Sequence, residues 1–272
     1  MCIASKSITL ASYTLIKLGG SVITFKDQSP PRVNTSLVTQ VSYELQHQSS
    51  PFVVVLGGGA HGHQAASRFG YGNPSTPTPT LISGIPVIRH NMTLLSLEVE
   101  SIFNNNGIPC VVLSPFNFVL MNLGIPECFP VDIILKTLQS GFSVIIHGDV
   151  CYDKTNGSSI LSGDVIVAEL AKKLSIDSVL LGTDVDGVFS DDPKSNPEAK
   201  LIPLINSTNV DNILSLAGPS KSTDVTGGMI RKIKELLEIS KHTKVIIFNL
   251  LIRGRLTSLL SGEDSICTII DL

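Results

Sequence analysis

The clearest structural signal in the chain is Leu56–Gly57–Gly58–Gly59–Ala60–His61–Gly62–His63. The apolar, β-branched run Pro51–Val55 before it predicts a buried strand, and Gln64–Phe69 after it can begin a helix. Where a strand, a glycine turn and a helix N-terminus meet, unpaired backbone N–H groups and the helix dipole point at the same place. The stretch therefore predicts a phosphate site that one of the two histidines touches.

Strands and helices alternate outward from this stretch in both directions. Predicted strands cover residues 14–18, 51–56, 109–113, 142–146, 178–181 and 244–248, and predicted helices cover 35–48, 92–105, 131–140, 165–174, 210–216 and 229–240. This alternation predicts an α/β fold with a mainly parallel sheet covered on both faces. Asn73–Pro79 predicts a flexible surface loop that could serve as a lid, and Asn156–Gly157 predicts a hairpin.

Glycine recurs at the carboxyl ends of the predicted strands, which is where ligands bind in such sheets. Four glycine-containing ends on one edge indicate one extended, phosphate-rich ligand or two ligands placed end to end. These ends are Gly19–Ser21, Gly57–Gly59, Gly148–Asp149 and Gly182–Asp184.

Composition narrows the class of protein. The chain has 272 residues, 43% hydrophobic and 16% charged, with a formal net charge of −3. That charge gives no support for a nucleic-acid-binding or membrane-surface protein, and no apolar run approaches the ~18 residues of a membrane span. The five scattered cysteines are typical of reduced thiols in a cytoplasmic protein. We interpret the first ~12 residues as a short extension.

Positive charge for phosphate chemistry comes from three candidate lysines. Neither a Walker-A motif nor a dinucleotide-binding glycine motif occurs in its proper context, so those folds are disfavoured. Lys17 lies in an apolar strand pattern beside a glycine turn, where a lysine is costly unless it meets an anion. Lys26 and Lys232, each taken alone, are more typical of solvated surface residues.

The acidic candidates each have more than one interpretation. Asp164 could cap a helix, or its carboxylate could hold two lysines in place. Asp184 and Asp186 could be turn residues, metal-associated carboxylates or nucleotide contacts. His63 alone is typical of an ordinary histidine at the start of a helix, and its position after the glycine turn makes a phosphate contact an equal alternative.

Taken in order, the motifs resemble those of the amino-acid-kinase superfamily, and within it the isopentenyl phosphate kinases. The resemblance runs from about Thr14 to the C-terminus. The family's opening K-L-G-G-S-x-I-T-x-K-D matches Lys17–Asp27, and its H-G-[AG]-G-S-F-G-H resembles Leu56–His63. Further matches, in the same order, are His147–Val150, Ser162–Asp164, Gly182–Val188 and Thr223–Met229.

This resemblance implies an open αβα sandwich with a mainly parallel central sheet, usually dimeric, hence a homodimer. It implies one amino-acid-kinase domain over residues 1–272, with an acceptor-binding half at about 13–160 and a nucleotide-binding half at about 161–272. It implies transfer of the ATP γ-phosphate to isopentenyl phosphate, giving isopentenyl diphosphate for isoprenoid biosynthesis, with Mg²⁺ carried on the nucleotide and no metal held by the protein.

The resemblance also implies residue roles. His63 would hydrogen-bond the acceptor phosphate, Lys17 and Lys26 would stabilise the transferring group, and Asp164 would orient the lysines. The acceptor site would be lined by Gly58, His63 and Gly163. ATP would be held by Lys17, Gly19, Gly20, Ser21, Gly59, Asp184, Gly228 and Lys232.

The chain departs from the family pattern beside the predicted catalytic histidine. Leu56 replaces a histidine, Ala60–His61 replaces Ser–Phe, and Gln64 stands where proline is usual. His61 could therefore compete with His63, although spacing favours His63. Alternative functions are a sister kinase acting on another phosphate or phosphonate (fosfomycin-type), one acting on a carboxylate such as glutamate or acetylglutamate, and a non-catalytic nucleotide- or anion-binding protein.

Overall fold

The computed structural model of the protein describes residues 12–216 and 235–272. The strands in these ranges are β1 (Tyr13–Leu18), β2 (Thr24–Phe25), β3 (Arg32–Val33), β4 (Val53–Leu56), β5 (Cys110–Leu113), β6 (Leu120–Asn122), β7 (Ile125–Cys128), β8 (Ser143–His147), β9 (Asp149–Asp153), β10 (Gly157–Leu161), β11 (Ile176–Thr183), β12 (Leu204–Asn206), β13 (Lys244–Asn249) and β14 (Cys267–Asp271). The helices are α1 (Gly20–Ile23), α2 (Thr35–Leu45), α3 (Gly59–Arg68), α4 (Thr78–Asn105), α5 (Asp132–Gln139), α6 (Gly163–Lys173), α7 (Val210–Leu216), α8 (helical residues 235–240) and α9 (Arg255–Leu260).

Eight strands form the main sheet in the order β12-β14-β13-β11-β1-β4-β8-β5. Within the described residues β14 runs antiparallel to β13, and the other neighbours in this sheet are parallel. β1, β4, β8 and β11 are adjacent, so the four glycine-containing strand ends lie together on one edge. The predicted fold class is confirmed.

Alternation of side chains along the central strands divides the core between the two faces of the sheet. Leu15 of β1 packs on one face with β11, α5 and α6. Ile16 packs on the other face with α2, α3 and α4. Because both faces are covered by helices, the strands are apolar almost throughout, and β4 is buried at every position. The architecture is therefore an αβα sandwich.

Two helices begin earlier than the sequence pattern predicts. α3 starts at Gly59 rather than after the glycines, so both histidines lie within its first turns. α4 starts at Thr78 rather than Met92 and takes in the end of the predicted 73–79 loop. Proline in the first turn costs a helix no hydrogen bond, which permits Pro79. Pro86 interrupts the interior, and the buried face of α4, from Ile85 to Phe103, offsets that interruption.

A second, smaller sheet lies beside the main one, in the order β10-β9-β6-β7. The predicted hairpin at Asn156–Gly157 is its β9–β10 pair, whereas its β6–β7 pair has no counterpart among the predicted strands. All six predicted strands of the main sheet are present. The predicted helix 229–240 is helical over 235–240, and its first part lies outside the described residues. No helix in the described part of the chain is both long and apolar enough to cross a membrane.

Candidate active site

The glycine turns meet at the carboxyl edge of the sheet through backbone hydrogen bonds that extend the strand pairing. The N–H of Gly57 donates to Leu18 O at 2.9 Å, and that of Gly148 donates to Leu56 O at 3.0 Å. Three neighbouring strands thus turn away from the sheet at the same level. Their N–H groups, and the N-termini of the helices α1 and α3 that follow β1 and β4, surround one region, which is the arrangement that binds anions.

Backbone contact between two of these turns requires glycine. A Cβ added to Gly20 would lie 2.2 Å from the backbone N of Gly59, and one added to Gly57 would lie 2.5 Å from the N of Gly20. Gly59 also has φ +49°, in the left-handed region that side chains disfavour. Gly19, Gly20 and Gly59, which the resemblance assigns to ATP, therefore stand in one compact unit.

Lys17 and Asp164 form the charged pair of the site. Lys17 Nζ donates to Asp164 Oδ1 at 2.5 Å, and the two side chains are 17% and 42% exposed. Asp164 is free to make this contact because the N-cap of α6 is Ser162, whose Oγ accepts from Val165 N. Gly163 lies directly against the lysine, since a Cβ added there would be 3.5 Å from Lys17 Cε, an ordinary contact distance. The Asp164 carboxylate thus supplies the negative charge that the apolar surroundings of Lys17 predicted.

Lys26 lies elsewhere, on the exposed loop between β2 and β3. No acidic group in the described part of the chain lies within ion-pair distance of Lys26, so the structure joins Asp164 to Lys17 and not to both lysines. The backbone of this loop is held by Gln64, whose Nε2 donates to Lys26 O at 3.4 Å and to Gln28 O at 3.1 Å.

The two histidines of α3 point to different places. His63 is exposed and lines a pocket beside Gly58. His61 is 4% exposed, its Nδ1 is buried with no hydrogen-bond partner, and burial lowers the pKa of its imidazole. Of the two, His63 is the histidine that a ligand in this pocket can reach.

The pocket beside His63 is narrow, about 60 Å³, and mostly apolar. Two sides of it come from Ile88 and Met92 of α4 and from Ile160 and Leu161 of β10. Its remaining lining residues are Gly58, Gly62, His63, Ala66, Gly148 and Asp149. A ligand with an anionic end and a short apolar body fits this combination, with the anion at the glycine turn.

Behind the pocket lies a buried charged network that sequence analysis missed. The Asp149 side chain is fully buried; it accepts from Arg89 and, at 3.1 Å, from Ser114 Oγ. Arg89 also stacks on Phe116, 4.8 Å from the ring centroid. The sequence held one signal, because Arg89 is the sole Lys or Arg between Arg68 and Lys136 and lies in an apolar helix.

The remaining nucleotide candidates are only partly described. Ser21 is exposed on the turn after β1. Asp184 follows β11 and pairs with Lys194 at 2.5 Å; this hydrogen bond and, more weakly, the charge of Lys26 lower the pKa of its carboxyl. Gly228 and Lys232 lie outside the described residues.

Comparison with known proteins identifies relatives along nearly the whole chain. A sequence profile of the amino acid kinase family matches residues 12–249. The isopentenyl phosphate kinase of Methanothermobacter thermautotrophicus is 32% identical over 257 residues, covering 92% of this chain and 96% of that protein. That of Arabidopsis thaliana is 33% identical over 222 residues, covering 75% of this chain and 65% of that protein. A solved X-ray structure of isopentenyl phosphate kinase, 28% identical, matches with a TM-score of 0.82 over 95% of this chain and 99% of that one.

Proposed function

Because the chain belongs to the amino acid kinase family, we propose that it is an isopentenyl phosphate kinase, an ATP-dependent phosphotransferase that makes isopentenyl diphosphate and ADP. The observation that carries this proposal is the apolar pocket that ends at a glycine turn and His63, with Lys17 and Asp164 paired nearby. The pocket suits a five-carbon apolar tail, and the turn suits the phosphate attached to it.

In the proposed reaction, an ionised oxygen of the acceptor phosphate attacks the γ-phosphorus of ATP. A P–O bond forms there, the bond from the γ-phosphorus to the bridging oxygen of ADP breaks, and no general base is needed. Catalysis then consists of in-line positioning and charge stabilisation. His63 would hydrogen-bond the acceptor phosphate, Lys17 would stabilise the transferring group, and Asp164 would hold Lys17 in place.

On the nucleotide side, the proposal assigns the ATP phosphates to the turn formed by Gly19, Gly20 and Ser21 against Gly59. Asp184, Gly228 and Lys232 would contact the remainder of the nucleotide. Residues of about 161–272 would thus bind ATP, and those of about 13–160 would bind the acceptor and also supply the turn for the ATP phosphates. Lys26 would approach the transferring phosphate from its loop.

Magnesium would arrive on the ATP phosphates. In the described residues no three His, Cys, Asp or Glu side chains are placed to hold a metal ion together. The carboxylates of Asp184 and Asp186 are each paired, with Lys194 and Arg255 respectively, and this pairing fits an ion carried by the nucleotide. When bound, the ion would neutralise charge on the β- and γ-phosphate oxygens.

We further propose a homodimer that forms through α4. Leu94 and Leu97, one turn apart on this helix, are 49% and 50% exposed, which is unusual for neighbouring leucines in a soluble monomer. Light scattering on the purified protein should give twice the chain mass, and Leu97→Glu should give the single-chain mass.

A cytoplasmic location is supported by Cys110, Cys128, Cys151 and Cys267, which are free thiols. Fractionation of cells that express the protein tests this location.

An ATP-consumption assay tests the function directly. The acceptors are isopentenyl phosphate, dimethylallyl phosphate, fosfomycin, acetylglutamate, glutamate and UMP. Turnover with isopentenyl phosphate at the highest kcat/KM supports the proposal, and no turnover with either isoprenoid monophosphate would sink it. Turnover with another acceptor would identify a sister kinase, whereas ATP binding without any turnover would identify a binding protein.

The role of His63 has its own test. His63→Ala should lower kcat/KM by about 10²-fold, because the imidazole contact with the acceptor phosphate is lost. His47→Ala, a substitution of another exposed histidine at the end of α2, is the matched control and should leave kcat/KM unchanged. Full activity in His63→Ala would remove that residue from the site.

A further inference from the structure

Thr24 lies buried between the two glycine turns of the site, with 3% of its surface exposed. Its Oγ1 donates to Gly20 O at 2.8 Å, in the turn that follows β1. The same oxygen accepts from the N–H of Ala60 at 2.9 Å, in the first turn of α3. One hydroxyl therefore joins the Gly19–Ser21 turn, which is assigned to ATP, to the start of α3, where Gly58 and His63 are assigned to the acceptor phosphate and Gly59 to ATP.

The hydrogen bond from Ala60 N–H satisfies a backbone donor at the start of α3 that has no partner within the helix. The first N–H groups of a helix have no partner within the helix and are normally satisfied by an N-cap side chain. The N-cap of α3 is Gly58, which offers none. Thr24, which is 36 residues away in sequence from Ala60, supplies the missing acceptor.

The two turns pack closely around the hydroxyl of Thr24. A Cβ added to Gly59 would lie 2.2 Å from Thr24 Oγ1 and 2.6 Å from Gly20 O. Thr24 is also fixed from its other side, because β2 pairs with β3 through Thr24 and Val33. The separation of the two turns is thus fixed by their direct backbone contact together with the threonine hydroxyl that bonds to both of them.

We propose that Thr24 is a positioning residue for phosphoryl transfer, whose hydroxyl fixes the distance between donor and acceptor phosphates. This inference rests on the proposed function, because that function places ATP at Gly19–Ser21 and the acceptor phosphate beside Gly58 and His63. Thr24 touches neither substrate. It acts through Gly20 and Ala60, and a misplacement of about 1 Å between the reacting groups of an in-line displacement can cost about 10²-fold in rate.

The test compares Thr24→Val with Thr24→Ser. Valine keeps the shape and loses both hydrogen bonds, whereas serine keeps the hydroxyl. Thr24→Val should lower kcat by about 10- to 100-fold while KM for both substrates changes by less than about threefold. Thr24→Ser should recover kcat to within about threefold of the unmodified protein.

The matched control is Thr268→Val. Thr268 is fully buried, and its hydroxyl makes the same kind of double contact, accepting from Val188 N at 2.8 Å and donating to Ile202 O at 2.7 Å. Its substitution should lower the melting temperature about as much as Thr24→Val does, and leave kcat unchanged. If the two valine variants have equal kcat values, the hydroxyl of Thr24 is structural only and the proposal is overturned.

A second readout does not depend on activity. Hydrogen exchange of the Ala60 amide, followed by NMR on protein with labelled alanine, should be about 10-fold faster in Thr24→Val than in Thr24→Ser. If Thr24→Val does not fold, Thr24→Ala takes its place in both comparisons. Absence of any turnover by the unmodified protein overturns the proposed function and, with it, the catalytic part of this inference. Unchanged Ala60 exchange overturns the link between the turns by itself.

Discussion

Lys17 and Lys26 are the two lysines of the motif Lys17–Asp27, and the structure places them in opposite surroundings. Lys17 extends from a strand in the middle of the sheet, is 17% exposed, and is held by Asp164 at 2.5 Å. Lys26 is on an exposed loop whose backbone is held by one glutamine side chain, Gln64. The ammonium group of Lys17 is therefore fixed before substrate binds, whereas the side chain of Lys26 loses conformational entropy when it is ordered on binding.

This difference teaches which part of the site is preorganised. Charge stabilisation is most effective when the stabilising group needs no reorganisation during the reaction. Lys17 meets that condition through its strand and its carboxylate partner, whereas Lys26 must be ordered at the moment of transfer, at a cost of up to about 2 kcal/mol for a lysine side chain. We therefore expect Lys17 to contribute more to kcat than Lys26.

The largest expected effect is that of Lys17→Met. Methionine keeps the apolar stem of lysine and removes the charge, so kcat should fall by about 10³-fold with the melting temperature nearly unchanged. Steady-state kinetics with both substrates measures it. Lys136→Met is the control, a lysine on α5 that should not affect turnover. If Lys26→Met were the more damaging variant, the comparison between the two lysines would be reversed.

Asp164→Asn should come next, with kcat lower by about 10²-fold, because Lys17 keeps its charge and loses its anchor. Two double-mutant cycles sharpen the result. Asp164→Asn should add little to Lys17→Met, since both act on the same cation, and should be additive with Lys26→Met. Equal coupling of Asp164 to both lysines would show that the carboxylate orients both of them once substrate is bound.

The placement of Lys17 beside an anionic group could be predicted from the sequence because its signal is local. A lysine within an apolar strand pattern beside a glycine turn needs an anion, and the glycine motif placed it at the ligand edge of the sheet. The six main strands followed from their β-branched runs for the same reason. For Asp164 the residues alone left helix capping and lysine binding open, and the resemblance implied the second role; the structure gives the N-cap position to Ser162.

Other features depend on contacts between distant residues, which one sequence does not reveal. Arg89 meets Asp149 across 60 residues because α4 passes over the end of β8. The start of α4 at Thr78 depends on burial of the face from Ile85 to Phe103, which offsets the interruption at Pro86. The isolation of Lys26 follows from the short β2–β3 hairpin, whose strands have two residues each. Pairing Lys26 with Asp164 therefore rested on the motif alone.

A smaller effect is expected at the hairpin. Lys26→Met should lower kcat by about 10-fold, and the loss should shrink as ionic strength rises, because an exposed charge is screened.

Gln64→Met removes both amide hydrogen bonds to the loop and should lower kcat by about threefold, because the loop that carries Lys26 is then held less firmly. Combined with Lys26→Met it should have no further effect. Gln46→Met, on the exposed end of α2, is the control. A loss in Gln64→Met that persists without Lys26 would mean that the glutamine acts on His63 instead.

The smallest effect on activity is expected from His61→Phe, and it tests whether the rigid side of the site is held by packing. His61 is buried with Nδ1 unpartnered, and burial keeps the pKa of its imidazole below the ordinary 6.5. In the unfolded chain the imidazole binds a proton near that pH, so the free energy of unfolding decreases as the pH falls below about 6.5.

His61→Phe removes that dependence along with a buried nitrogen that lacks a partner, so the variant should be more stable by about 1 kcal/mol at pH 7.5. Its advantage over the unmodified protein should grow by at most about 1.4 kcal/mol per pH unit as the pH falls toward 5. His147, also buried with a lowered pKa, is present in both proteins, so its contribution cancels in the difference. Urea unfolding at several pH values measures the advantage, and kcat should stay within about twofold. A constant advantage across pH would mean that His61 is not the titrating group. A tenfold loss of kcat would show that the imidazole of His61 is needed to position the turn that carries Ala60, and that packing alone is not sufficient.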